Sequence, residues 1–283
     1  MPSRRFLILG ASGQLGQAFL RQLGDRAEPW LRSSCDLARP EAIALPEWRP
    51  AAIINCAAFN DVDGAEADHR DLAMAVNAEG PARLARLAAD RAIPLLHFST
   101  DYVFGGDALD RPRIETDPPA PVSHYGRSKL AGERAVLAIG GAALVVRVAH
   151  LYGGDSLAAG RVNLVRRWLE RAHRGEPLLV TRGQHLNPTA VGPLVSACRQ
   201  LLADGAAGLY HLAGAGGCTA EEFATALLRL AGVTTAIRLV ERDDRPAPRA
   251  RFTVLENRRW NHEGRPPLPP WPVSLTTYVN SLR

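Results

Sequence analysis

Phe6-Leu-Ile-Leu-Gly10-Ala-Ser12-Gly13-Gln14-Leu15-Gly16 is the stretch on which the fold turns. An apolar run from Phe6 to Leu9 ends on glycines spaced three apart. Gln14 to Leu23 then sets Leu15, Phe19, Leu20 and Leu23 on one helical face. Strand, glycine turn and helix in this order make a phosphate-binding corner. Glycine lets the backbone turn tightly and approach a ligand, while the helix N-terminus offers unpaired N–H groups and a partial positive charge. A plain strand-to-helix turn has the same spacing, so the alternation of elements along the rest of the chain decides between the two.

Further strands are expected at Ala52 to Asn55, Leu95 to Ser99 and Ala143 to Val148, with helices at Pro81 to Asp90 and Ser128 to Leu137. Leu109 to Val122, rich in proline and charge, reads as a loop. This alternation predicts an α/β fold, a doubly wound parallel sheet of the Rossmann type. Beyond Tyr152 the pattern weakens. Helices are expected at Val162 to His173 and Val191 to Leu202, a short strand at Leu209 to Leu212, a capping box at Thr219-Ala-Glu-Glu222, and an extended segment from Arg265 to Pro272. The expected organisation is a dinucleotide-binding domain over 1–150, with segments near 178–214 returning to it. A smaller, partly discontinuous substrate-binding region occupies most of 151–283.

At 283 residues, 46% hydrophobic and 22% charged, the chain has the composition of a globular protein with a sizeable core. It has no membrane-length apolar run, and Phe6 to Leu9 is too short for a signal-peptide core, so a cytoplasmic location is expected. Cys35, Cys56, Cys198 and Cys218 form no Cys-x-x-Cys pair, and neither a zinc site nor a disulfide framework is indicated. The net charge of +5 is scattered, without a nucleic-acid motif; it suits a phosphate-bearing small ligand better. Of 34 Lys and Arg residues all but Lys129 are arginine, which suggests that position 129 requires a compact ammonium.

The second strand is expected to end near Leu31 or Arg32, where an acidic residue would hold the free ribose hydroxyls of NAD. Arg32-Ser-Ser stands there instead, so NADPH is the expected cofactor, paired to Arg32 through its extra phosphate, with NADH the alternative. Asp36-Leu37 would meet the adenine edge. Tyr125 and Lys129 lie four residues apart on one helical face. A phenol has a pKa of about 10, and a nearby ammonium would bring it toward working pH for proton transfer. Thr100, in Ser99-Thr-Asp101 at the end of a buried strand, would orient a substrate carbonyl.

These motifs, with Asn55-Cys56-Ala57-Ala58 after a strand and Val76-Asn77 on the next helix, resemble the extended short-chain dehydrogenases/reductases. Within them the chain is similar to the dTDP-4-dehydrorhamnose reductase, or sugar-nucleotide-binding, family. The likeness runs through Val62-Asp63-Gly-Ala-Glu66, Ser99-Thr-Asp-Tyr-Val-Phe104, Tyr125-Gly-Arg-Ser-Lys-Leu-Ala-Gly-Glu133, Gln184 with Pro188-Thr189, and Gly208-Leu-Tyr-His-Leu212, up to about Leu255. The resemblance implies an oxidoreductase that reduces a 4-keto deoxysugar nucleotide. Thr100, Tyr125 and Lys129 would be the catalytic set, with Cys56, Ala57, Ala58 and Asn77 at the cofactor. Val62, Asp63, Thr100, Tyr102, His150 and Gln184 would face the substrate. It implies a small-molecule partner and allows a homodimer; neither nucleic acid nor membrane is called for, and no metal cluster is apparent.

Several departures cluster on the substrate side. His150 stands where the family has Trp, Phe104-Gly105 where it has Phe-Asp-Gly, Arg182-Gly-Gln184-His-Leu-Asn-Pro188 in place of Asp-Gln-x-Gly-x-Pro, and Arg249-Ala-Arg251 in place of Arg-Pro. They suggest a related substrate, such as another nucleotide-activated deoxysugar or a secondary-metabolite ketone. Arg147, Arg182 and Arg249 are the candidates to meet a substrate pyrophosphate. Dehydration is disfavoured because Asp101 precedes Tyr102 and not a glutamate. Two other functions are compatible with the same resemblance: a non-catalytic regulatory subunit, like the beta subunit of methionine adenosyltransferase, and a sugar-nucleotide epimerase.

Overall fold

Six short strands pair into one parallel sheet: β1 (Phe6–Leu9), β2 (Ala27–Trp30), β3 (Ile53–Asn55), β4 (Leu95–Thr100), β5 (Ala143–Val148) and β6 (Gly208–His211). Their order in space is β6-β5-β4-β3-β1-β2. The chain therefore reverses its direction of travel between β1 and β3, and a crevice opens at the C-terminal ends of those two strands. The computed structural model describes residues 5–107, 109–154, 163–241 and 245–283.

Helices cover both faces of the sheet: α1 (Gln14–Leu23), α2 (Gly80–Asp90), α3 (His124–Ile139) and α4 (Val191–Ala203). Strand side chains alternate between two cores, as the period of two requires. Ile8, Ile54, Leu96, Phe98, Leu144 and Val146 pack under Phe19 of α1 and Leu194, Val195 and Leu201 of α4. Leu7, Leu9, Ile53, Leu95 and Val145 pack on the opposite face against Leu84 and Ala88 of α2 and Val136 of α3. All residues of β4 and β5 are buried, as expected of central strands covered on both sides.

A separate core gathers Tyr152, Leu169, Leu178, Val180, Phe223, Leu227 and Leu275. The return to the first sheet expected over 178–214 starts later. Leu178, Val180 and Leu186 belong to this second core, whereas Val191, Leu194, Tyr210 and Leu212 pack on the sheet. Trp260 and Leu268 return to the sheet as well.

Helix ends account for most boundary differences. The helix expected from Ser128 starts at His124, because the Ser123 hydroxyl accepts from the Gly126 N–H and caps it. The helix expected from Val162 is Leu164–His173, capped by Asn163; Val162 itself lies outside the described residues. Thr219 and Glu222 form the expected capping box. The segment expected to stay extended to Pro272 instead enters a helix, Trp271–Asn280. Pro272 is tolerated there because the N–H groups of a first turn have no intrahelical partner. Among the described residues no helix is long and apolar enough to cross a membrane. All four cysteines are free thiols.

The glycine corner is built by close approach. Gly10 has φ +67°, and a Cβ there would lie 2.6 Å from the Ala57 backbone nitrogen. A Cβ on Gly16 would lie 2.3 Å from the Gly10 carbonyl oxygen. Gly10→Ala should therefore cost at least the about 1–3 kcal/mol of a strained backbone position, read as a lower urea midpoint with an unchanged slope. An unaltered midpoint would mean that the loop after β3 yields freely.

Candidate active site

Everything with chemistry in it gathers at the C-terminal edge of the sheet. Thr100 ends β4 and Asp101 follows; Tyr125 and Lys129 come from the start of α3, which runs back across that edge. The Tyr125 and Tyr102 rings meet edge to face, with centroids 5.6 Å apart. The Thr100 hydroxyl donates to Asp101 Oδ1 at 3.0 Å and accepts from the Tyr102 N–H at 3.2 Å. Burial pushes the Tyr125 phenol well above its ordinary range; the Thr100 hydroxyl opposes this, and the negative charge of Asp101 adds to it.

Lys129 is buried, and its ammonium donates to the Phe98 carbonyl oxygen at 2.6 Å. Loss of hydration brings its pKa down to about 8, with the Glu133 carboxylate one turn further along α3 resisting the fall. The ammonium is thus held at the end of β4, one turn along α3 from Tyr125.

Arg147 does not face a ligand. It is 2% exposed, and its guanidinium forks onto the Glu133 carboxylate, Nε to Oε2 at 2.9 Å, with a second, shorter bond from Nη2 to Oε1. Its Nη1 lies 3.2 Å from His211 Nε2. His211 Nδ1 sits against the Arg113 and Glu256 carbonyl oxygens, which only accept, so Nδ1 carries the proton and Nε2 accepts from Arg147. Burial and the Arg147 charge hold His211 neutral, with a pKa brought down to about 3. The expectation that Arg147 meets a pyrophosphate is therefore corrected: β5 places it beside His211 of β6, with its charge spent internally.

The glycine corner lies beside this cluster. The Gln14 side chain donates to the Gly153 carbonyl oxygen, so any part it takes in binding falls to its backbone N–H. Leu15 packs on the sheet core. Arg32 is 77% exposed just past β2, 3.3 Å from Asp36, whose other oxygen caps the Ala38 N–H. Leu37 is buried with its backbone against Gly80. Asn77 is fully buried and its amide is committed to both backbone groups of Phe59 and to the Ser128 hydroxyl, so it fixes the cleft wall and does not reach into the cleft. Cys56, Ala57 and Ala58 follow β3. They are held from beneath by Asn55, whose side-chain oxygen accepts from the Ala57 N–H while its amide meets His97 Nδ1. His97 was not singled out in the sequence, because one histidine in an apolar strand carries no pattern.

A cavity of about 570 Å³ is lined by Thr181, Gln184, Arg245, Arg249 and Arg251 among others. Asp63, from the short helix Val62–Glu66, grips Arg249 with both oxygens at 2.9 Å and also accepts from the Ala247 N–H, which holds its carboxyl below the usual range. The Arg249 charge opposes the rise that burial and Asp101 impose on the Tyr102 phenol. Asp63, Tyr102, Gln184 and Arg249 are thus brought to one cleft, whereas Arg182 lies exposed on the rim, paired with Glu241. Arg245 escaped the sequence reading; its place in Arg245-Pro-Ala-Pro-Arg249, a cationic run stiffened by proline, was the available signal. His150, with φ +40°, sits after β5 with Nδ1 3.5 Å from Asp101 Oδ2.

Residues 4–283 match the RmlD substrate binding domain. A dTDP-4-dehydrorhamnose reductase from Streptomyces griseus is 37% identical over 99% of this chain and 95% of its own. A probable dTDP-4,6-dihydroxy-2-methyloxan-3-one 4-ketoreductase from Streptomyces antibioticus is 38% identical over 96% of this chain and 93% of its own. The crystal structure of dTDP-4-dehydrorhamnose reductase from Bacillus anthracis in complex with NADP superposes with a TM-score of 0.91 at 29% identity, covering 98% of this chain and 99% of that one.

The buried pair makes a clear stability prediction. Arg147→Met should leave Glu133 uncompensated and cost about 3–5 kcal/mol in urea unfolding. A loss below about 1 kcal/mol would show that the pair is dispensable.

Proposed function

We propose, because this chain belongs to the RmlD substrate binding domain family, that it is an NADPH-dependent reductase of the 4-keto group of a dTDP-linked deoxysugar. The observation that carries the reading is that Thr100 ends β4 and Tyr125 and Lys129 share one face at the start of α3, with the Lys129 ammonium on the Phe98 carbonyl oxygen of β4. The cradle at Gly10 and Gly16 has no room for a side chain, which suits close approach of a pyrophosphate to backbone N–H groups. When bound there, NADPH supplies the hydride.

The chain's own residues do the rest. Tyr125 gives its phenolic proton to the carbonyl oxygen as the carbon is reduced, and Thr100 orients that oxygen. Lys129, presented from the same helical face, holds the nicotinamide ribose and offsets the charge left on Tyr125. Arg32, exposed beyond β2, pairs with the 2′-phosphate. Val62, Asp63, Tyr102, His150 and Gln184 face the sugar nucleotide, and Arg245 and Arg249 suit its pyrophosphate. The reaction belongs in the cytoplasm, its partners are small molecules, and a homodimer is the compatible assembly.

The relatives carry names for more than one 4-keto sugar. With the departures at His150 and around Arg182, we place the substrate among dTDP-4-keto-6-deoxysugars. The test is NADPH absorbance with dTDP-4-dehydro-6-deoxy-L-mannose. Turnover is expected, with Tyr125→Phe slower by at least about 100-fold. NADPH binding without turnover on any dTDP-4-keto sugar would overturn the reading. Arg32→Ala should raise KM for NADPH by about 10- to 100-fold and leave NADH unaffected. The ammonium fraction of Lys129 falls as pH rises through about 8, so kcat should decline on the alkaline side from that midpoint. A rate that is flat from neutrality to well above it would exclude a need for the charge.

A further inference from the structure

The backbone around Tyr125 is held on both sides by one stretch of chain, residues 59–79. Ahead of it, the His124 N–H donates to Glu66 Oε2 at 2.7 Å. The His124 ring reaches the same stretch. Its Nε2 lies 3.2 Å from the Arg70 carbonyl oxygen, which only accepts, so Nε2 carries the proton. Behind it, the Tyr125 carbonyl oxygen accepts from the Ser128 hydroxyl at 2.8 Å, and that hydroxyl accepts from the Asn77 amide at 3.0 Å. A Cβ on Gly132, two turns on, would collide with the Asn77 carbonyl oxygen, so α3 is seated against this stretch as closely as its backbone allows.

Glu66 closes the five-residue helix Val62–Glu66, and its side chain is 17% exposed. That helix is fixed at its start, where Asp61 Oδ1 accepts from the Gly64 N–H at 3.0 Å, and Ala65 is fully buried within it. Glu66 Oε1 also meets two exposed guanidinium groups, Arg127 at 3.4 Å and Arg70 at 3.8 Å. Exposed pairs contribute little, whereas the N–H groups of a first helical turn have no intrahelical acceptor. The bond to His124 is therefore the contact that fixes the geometry. Three residues earlier on the same helix, Asp63 grips Arg249 and the Ala247 N–H. The two carboxylates thus hold different parts: Asp63 the segment that lines the arginine-rich cavity, Glu66 the start of the helix that carries Tyr125.

Resting on the reductase reading, we propose that Glu66 is a positioning residue for Tyr125, and that the helix Val62–Glu66 sets the spacing between the proton donor and the arginines that meet the substrate. Glu66 takes no part in the chemistry. Tyr125 gives its proton to the carbonyl oxygen, and Glu66 holds the backbone from which the phenol is presented. Ser123 caps the Gly126 N–H of the same turn, so without Glu66 the turn persists but loses its anchor to the substrate side. A displacement of about 1 Å at the reacting atoms can cost about 100-fold in rate. Among the described residues the Glu66 carboxylate meets His124, Arg127 and Arg70, none of them assigned to either ligand, so the loss falls on kcat.

Variants at position 66 separate the hydrogen bond from the charge. With NADPH and dTDP-4-dehydro-6-deoxy-L-mannose, well below each variant's unfolding midpoint, Glu66→Ala should lower kcat by about 10- to 100-fold and leave both KM values within about threefold of wild type. Glu66→Gln keeps an oxygen for the His124 N–H and should recover kcat to within about threefold. Arg70→Gln and Arg127→Gln remove the ion pairs and should each leave kcat within about twofold. Wild-type kcat in Glu66→Ala, a loss carried by KM, or a Gln variant as slow as the Ala one would overturn the proposal. Should Glu66→Ala fail to fold, Glu66→Asp takes its place: it keeps the charge, falls one methylene short of His124, and should be slower by about tenfold. Hydrogen exchange at the His124 amide needs no substrate, and Glu66→Ala or Glu66→Asp should speed it by at least about tenfold. If wild-type protein turns over no 4-keto sugar, the reductase reading fails by itself; an unchanged exchange rate then overturns the anchoring, and a faster one upholds it.

Discussion

Burying one ammonium dictates much of the architecture around the cleft. Lys129 gives up its hydration, so it must find a carbonyl, and Phe98 near the C-terminal end of β4 provides it. The carboxylate that steadies it, Glu133, is itself buried and needs a cation, which Arg147 supplies from β5. Arg147 needs a further acceptor and finds the neutral ring of His211 on β6. His211 in turn is oriented by carbonyls of the Arg113 loop and of Glu256. Each step removes the unpaired charge created by the one before, so four side chains and two distant loops are fixed by one requirement. Arg113, fully buried and forked onto Asp107, closes the same region from the loop side.

The central sheet was legible because its signals are local. Apolar runs, the glycine turn and the amphipathic α1 need no knowledge of the rest of the chain, and the Tyr125 and Lys129 spacing is a property of one helix. A charged residue in a strand suggests a ligand contact, but the register sets Arg147 beside Ser99 and His211, and only tertiary pairing shows that its charge is spent. Two-residue strands such as Leu151–Tyr152 and Thr189–Ala190 are defined by their partners and leave no periodicity to read. Trp271–Asn280 was hidden by the prolines before it, which sit at a helix start where they cost little.

The two cores meet at the cleft through a polar link. Asp63 belongs to the sheet half, while Arg249 and Ala247 belong to the segment lining the cavity, and their bidentate contact joins the halves where a ligand phosphate would lie. A ligand pyrophosphate and Asp63 make the same demand on Arg249.

The solitary lysine has a consequence outside catalysis. An endoprotease specific for lysine has a single peptide bond to cut in the whole chain, inside α3 at a side chain only 3% exposed. In the folded protein that bond is out of reach, so scission occurs only when α3 opens. Arginine-directed digestion, by contrast, finds dozens of sites and reports on every loop. The cleavage rate by the first kind of enzyme thus isolates the opening of one helix, and a ligand that seats against Lys129 would slow it in proportion to occupancy.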